Sequence, residues 1–192
     1  MIRLIKEKKV VDEDTKLSML VKTIGSGLFV GYAPFASGTF GSVVGMLIFL
    51  IPGFSDFRIL SIAIIVFFIV GVYISEIMVK RYGDDPAQVV IDEIVGLWFT
   101  YFIGYLVFEF FIQFKTYDPT QGFLRKVIFA LVGFFIFRIF DIVKLQPAKY
   151  FDELNNGYGI MMDDIIAGFY SGIISAITTH FLWYRIFVKM HI

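Results

Sequence analysis

The chain has 192 residues, enough for one domain of ordinary size, but 58% are hydrophobic, 19% are aromatic and the mean hydropathy is +0.78. Those values describe a membrane protein rather than a soluble globule. Seventeen basic and 17 acidic side chains cancel, which excludes a strong global field, and no nucleic-acid partner is expected. With no cysteine, disulfides, thiolate nucleophiles and Cys-type metal sites are excluded; only His180 and His191 remain as imidazoles, so a metal site would be built from oxygen, the donor of hard cations such as Mg²⁺ or Mn²⁺.

The N-terminal "MIRLIKEKKVVDEDTKLSML" mixes both signs of charge and lacks the apolar core and cleavage site of a signal peptide. Residues 1–24 are expected to form a retained polar tail or interfacial helix, and residues 25–192 a single membrane-embedded domain. Five apolar stretches follow: Gly41–Ile51, Ile59–Ser75, Ile94–Phe114, Val127–Phe140 and Ile165–Tyr184. A helix needs roughly 20 apolar residues to cross the hydrocarbon core, so the third and fifth qualify best, and the first and fourth are short. The fourth can extend through Arg138 if that side chain faces protein or water. Gly31–Gly38 reads as non-helical chain at membrane depth, tolerated where it packs in protein or lines a cavity. The expected fold is an all-α integral membrane bundle with about four to five membrane-embedded helices.

If all five stretches cross, eleven Lys and Arg fall on the N-terminal side and six on the other. The positive-inside rule then places the N-terminus in the cytoplasm. This topology carries "GYAPFASGTFGS", "GDDPAQVVIDE" and "RIFDIVKLQPAKYFDELNNGYGIMMDD" to the same cytoplasmic face.

Asp92 and Glu93 precede the span from Ile94, and Asp163 and Asp164 precede the span from Ile165. One reading is capping, in which a carboxylate accepts backbone N–H bonds at the positive end of a helix. Capping accounts for one carboxylate per helix. Two adjacent pairs on one membrane face repel unless something neutralises them, and a divalent cation held by Asp92, Glu93, Asp163 and Asp164 is the second and favoured reading.

Arg138, Asp141 and Lys144 recur every third residue, close to one helix face. They form either a salt-bridge ladder worth a few tenths of a kcal/mol, or a phosphate site in which Asp141 orients the two cations or joins the metal shell. Gly38, Thr39 and Ser42 lie in a small-residue turn that opens an apolar helix, where backbone N–H groups and hydroxyls suit an oxyanion. Small residues are equally common where membrane helices pack closely. His180 reads as a packing residue, and Glu109 as a side chain that snorkels or pairs on the far-side half of its span.

Taken together, "GYAPFASGTFGS", "DEIVG", "FRIFDIVKLQP" and "GYGIMMDDIIAG" occur in that order from Gly31 to Gly168, and with them the chain resembles the phosphatidylglycerophosphatase A family. Two positions depart from the family pattern: Ser37 stands for its second proline, and Leu145 for the proline after Lys144. Both loosen turn geometry without removing a charge or hydroxyl. The resemblance implies a Mg²⁺-dependent lipid phosphatase of the bacterial cytoplasmic membrane that converts phosphatidylglycerophosphate to phosphatidylglycerol and phosphate.

On that expectation Asp92, Glu93, Asp163 and Asp164 hold the metal, Asp141 completes the catalytic carboxylates, and Gly38, Thr39, Ser42, Arg138 and Lys144 bind the substrate phosphate. A carboxylate serves as general base or as nucleophile. Two alternatives stand beside this one: the same site acting on phosphatidic acid or a polyprenyl phosphate, and a divalent-cation transporter. A transporter calls for acidic groups deep in several spans, whereas here only Glu109 lies deep.

Overall fold

The computed structural model describes residues 11–12, 16–112, 122–183 and 185, and among these it contains helices and no strand. The expected polar tail falls largely on residues 1–10 and 13–15, which lie outside the described residues. A short helix, α1 (Met19–Gly25), leads through a 3-10 turn (Val30–Tyr32) into α2 (Ser37–Leu50). Then come α3 (Phe57–Tyr82), α4 (Ile91–Val107) ending in a π turn (Phe108–Ile112), α5 (Phe123–Val143), the small α6 (Ala148–Asp152) and α7 (Gly157–Trp183). Over the described residues each of the five apolar stretches falls on one long helix, the first ending at Ile51 just past α2 and the third running on through the π turn.

The α3, α4 and α7 helices are long and apolar enough to cross a membrane. At 14 residues α2 rises about 21 Å, less than the roughly 30 Å of hydrocarbon. The fourth stretch becomes the 21-residue α5 because the helix takes in charges at both ends, from Arg125 and Lys126 to Arg138 and Asp141. Contacts among the termini show that α2, α4 and α7 start at one end of the bundle, while α3 and α5 finish there.

Side-chain size sets how closely the helices approach. Gly96, Thr100 and Gly104 recur every fourth residue on α4, opposite Gly168 and Gly172 on α7. A Cβ at Gly168 would stand 2.5 Å from the Gly96 carbonyl oxygen, and one at Gly172 would stand 2.5 Å from Ile103 Cβ. In lipid, where tails are as apolar as leucine, such small-residue seams let backbones touch and gain dispersion contacts. The same helix is tied to its other neighbours by polar groups: Trp98 Nε1 donates to the Gly45 carbonyl at 2.9 Å, and the Tyr101 hydroxyl to the Ala130 carbonyl at 2.9 Å. Thus α4 is the centre of the bundle, buried along most of its length.

The sequence places Asp163 and Asp164 at a helix start, but α7 begins earlier, at Gly157, so the pair lies about two turns inside it. Glycines 157 and 159 suggest a loop by propensity, yet tertiary partners cap the helix there: Asn156 Oδ1 accepts from Gly159 N at 2.7 Å, and Glu76 Oε2 of α3 accepts from Gly157 N at 2.9 Å. Replacing Glu76 by Ala removes an acceptor from a helix end. Thermal unfolding in detergent should then show a loss of about 1 kcal/mol, or a melting shift of about 2–4 °C at this chain length. An unchanged melting temperature would mean that Asn156 alone suffices.

Candidate active site

Four helices bring their polar ends together at one end of the bundle. Asp92 and Glu93 stand in the first turn of α4, following Val90, whose N–H donates to the Gly25 carbonyl at 2.9 Å. Because Gly96 and Gly168 let α4 and α7 touch, Asp164 arrives directly against them. One oxygen from each of Asp92, Glu93 and Asp164 lies within 4.8 Å of the other two. Asp92 is 9% exposed and Asp164 3% exposed.

Asp92 Oδ1, Glu93 Oε2 and Asp164 Oδ2 are buried without a hydrogen-bond partner. Three crowded carboxylates with unpartnered buried oxygens are costly unless a positive charge sits among them. Neither pair caps its helix through these oxygens, so the capping reading leaves them unexplained. The donor set is all oxygen and its spacing accommodates one hard cation, so these residues fit a divalent ion such as Mg²⁺.

Asp163 stands apart from that trio. Its Oδ2 accepts from Lys144 Nζ at 2.6 Å, and its Oδ1 accepts from the Asp164 backbone N–H at 3.0 Å. Successive residues of a helix point about 100° apart, which is why neighbours in sequence face different partners. Lys144 also departs from the expected helix face. It ends α5 in the left-handed region (φ 46°), turns off the helix and bridges Asp163 to Asp152 of α6 at 2.7 Å.

Burial alone would lower the Lys144 ammonium, but the carboxylates of Asp163 and Asp152 outweigh it and hold its pKa above the ordinary lysine range. A raised value in the folded protein means that, while the partner carboxylates are ionised, the Lys144 charge stabilises fully below the ordinary lysine pKa. Its contribution fades only as pH climbs from there toward the folded value. Asp152 was not among the residues expected from the sequence. Eight positions from Lys144, it becomes a partner only through the turn that α6 makes, which no spacing rule encodes.

Arg138 is held in place from two sides. Its Nη1 pairs with Asp141 Oδ2 at 2.6 Å and donates to Ser42 Oγ at 3.3 Å. Ser42 Oγ in turn donates to the Gly38 carbonyl at 3.0 Å, linking the first turn of α2 to the end of α5. Arg138 Nε is buried and has no partner, leaving a donor uncommitted beside the acidic trio. Gly38 makes this arrangement possible: a Cβ there would collide with Glu93 Oε1 and stand 3.3 Å from Arg138 Nη1. Thr39 is half-buried in the same turn.

So of the predicted residues, Asp92, Glu93 and Asp164 meet as a trio, with Gly38 against Glu93 and Arg138, itself held by Asp141 and Ser42, beside that glycine. Asp163 and Lys144 pair with each other. His180 lies in α7 with its ring 6.0 Å from that of Phe181, and Glu109 is exposed in the π turn.

A helical membrane protein in which carboxylates and cations from four helices converge at one end of the bundle is a protein equipped to hold a cation and an anion side by side. The chain belongs to the phosphatidylglycerophosphatase A family, whose profile matches residues 23–179. A Bacteroides thetaiotaomicron protein with the provisional name phosphatidylinositol-3-phosphatase is 32% identical over 165 residues, covering 83% of this chain and 94% of the relative. The Escherichia coli phosphatidylglycerophosphatase A is 29% identical over 178 residues, covering 91% of this chain and 93% of that protein. Its Haemophilus influenzae namesake is 30% identical over 161 residues, covering 82% and 85%. No solved structure matches the chain. It is a phosphatase.

Proposed function

We propose that the protein hydrolyses phosphatidylglycerophosphate to phosphatidylglycerol and inorganic phosphate at the cytoplasmic face of a bacterial membrane, with Mg²⁺ as cofactor. The observation that carries this reading is the trio of unpartnered carboxylate oxygens on Asp92, Glu93 and Asp164 beside the uncommitted Nε of Arg138. These three would hold the ion, which when bound supplies charge to the phosphate and a water of lowered pKa.

The chain's own groups do the rest. Arg138, kept in one orientation by Asp141 and Ser42, presents Nε to a phosphate oxygen, and the N–H groups of the α2 first turn at Gly38 and Thr39 face the same charge. Lys144, fixed between Asp152 and Asp163, adds a positive charge at the edge of the site. Hydrolysis puts the water oxygen on phosphorus, breaks the bond to the terminal glycerol oxygen and returns a proton to that oxygen. Site carboxylates take the proton from the water.

The test is phosphate release by purified protein in mixed micelles, with Mg²⁺ and with chelator. Turnover of phosphatidylglycerophosphate that a chelator abolishes and Mg²⁺ restores is the expected result; equal turnover in chelator would remove the metal from the reading. Because the Bacteroides relative carries an inositol-lipid name, the panel includes phosphatidylinositol 3-phosphate along with phosphatidic acid and a polyprenyl phosphate. A preference for any of these over phosphatidylglycerophosphate would reassign the substrate.

A further inference from the structure

The stretch from α1 to α2 has features that the phosphatase chemistry does not call for. No charged residue occurs between Lys22 and Asp56, so the non-helical chain before α2 is as free of charge as the helix itself. Leu28, Phe29 and Phe35 are 67%, 45% and 70% exposed. Leu28, Phe29 and Ala36 take up φ values of 61°, 71° and 50°, a conformation that L-residues rarely adopt. Backbone strain is thus spent on turning apolar side chains outward.

Much of the backbone between Gly27 and Ala33 is also closed on itself. The N–H groups of Gly27, Leu28, Gly31, Tyr32 and Ala33 donate to the carbonyls of Ile24, Thr23, Ser26, Phe29 and Val30, at 2.8–3.2 Å. Ser26 Oγ accepts from Phe29 N at 3.0 Å. A loop in water has no need for such closure, since solvent satisfies its amides. A loop in lipid must satisfy them internally.

Its position is fixed against the site face. A Cβ at Gly31 would collide with the Gln88 carbonyl, and Gly27 abuts Val90 and Ile94 at the start of α4. The Phe35 ring lies 6.1 Å from that of Phe40, in the same first turn of α2 that begins the Gly38 contact with Glu93. A second connection on this face, Gly83–Gln88, carries Asp84 and the exposed Asp85.

We propose that residues 26–36 form a wedge embedded in the phospholipid leaflet on the site face, and that lipid slides past Phe35 and Phe40 to bring its phosphate to Gly38 and Arg138. The embedding stands by itself; the delivery role rests on the lipid-phosphatase reading.

Because the chain lacks cysteine, single cysteines placed by substitution report without background. Spin labels on Leu28→Cys, Phe29→Cys and Phe35→Cys in phospholipid vesicles should collide with oxygen more than with a water-soluble nickel chelate. A label on Glu153→Cys, exposed in the solvated connection after α6, should show the reverse. Nickel accessibility at residues 28, 29 and 35 equal to that at 153 would overturn the embedding.

For delivery, Phe35→Asp should raise the apparent KM for vesicle-embedded substrate about tenfold or more while leaving turnover of a monomeric, short-chain phosphate ester unchanged. Equal loss on both substrates would overturn the delivery role. Lipid-type accessibility in a protein whose unmodified form releases no phosphate from any lipid would instead count against the phosphatase reading and leave the embedding intact.

Discussion

Asp164→Asn is expected to reduce phosphatase activity by at least about 10²-fold, the scale seen when one group stabilising transition-state charge is removed, and to leave the metal-free protein as stable as the parent or more so. Activity falls because Asp164 contributes one of the three carboxylate oxygens that lie within 4.8 Å of one another. Stability follows the opposite sign, because removing one of three crowded buried carboxylates relieves repulsion that Arg138, already paired with Asp141, does not offset.

The parent should therefore gain thermal stability with Mg²⁺, by about 2.7 kcal/mol at a hundred times the dissociation constant, and the variant should gain little. Asp163→Asn provides the contrast. The Asp163 carboxylate pairs with Lys144 and is not one of the trio, so its loss should lower activity about 10- to 100-fold, on the scale of an outer-shell partner, while the Mg²⁺-dependent stabilisation persists. Thermal shifts and phosphate release measured on both variants decide the matter. A Mg²⁺ shift that survives in Asp164→Asn and vanishes in Asp163→Asn would exchange the two roles.

That contrast marks where the sequence stops being readable. Apolar runs located every long helix, since hydrocarbon imposes a length and a composition that local sequence displays directly. The charged residues were also visible as exceptions within or beside those runs, which is why Asp92, Glu93, Arg138 and Asp164 stood out. Sequence adjacency, however, treated Asp163 and Asp164 as equivalent. In α7 they point different ways, one toward α4 and one toward Lys144. The start of α7 at "NNGYGIMM" is not legible in the sequence because glycine propensity speaks for a loop, whereas Glu76 from α3 and Asn156 supply the caps that make it helical. Of the ladder Arg138, Asp141, Lys144, the first two members pair at 2.6 Å. The third turns away because α5 ends there in a left-handed residue. Asp152 could not be seen at all, since its role depends on how a short helix folds back.

The glycine seam gives the prediction with the second-largest effect, for it tests packing and chemistry at once. At Gly96 a Cβ would stand 2.8 Å from the Asp164 carbonyl oxygen and 2.9 Å from both Asp164 Cβ and a ring carbon of Phe137. Backbone on one side and a packed ring on the other leave no flexible side-chain end to yield, so Gly96→Ala must push α4 and α7 apart. Overpacking of this kind costs about 1–3 kcal/mol, which a bundle joined along the remainder of the seam can absorb. The chemistry is less forgiving. Gly96 lies one helical turn from Asp92 and Glu93, and the strain falls on the residue whose carboxylate completes the trio. A displacement on the order of 1 Å at a reacting centre can cost about 10²-fold in rate. Gly96→Ala should therefore lose about 10²-fold in activity and much of its Mg²⁺-dependent thermal shift, while its helical circular dichroism stays that of the parent. If the variant keeps both activity and Mg²⁺ response, the approach of α4 to α7 at Gly96 does not set the geometry of the acidic trio.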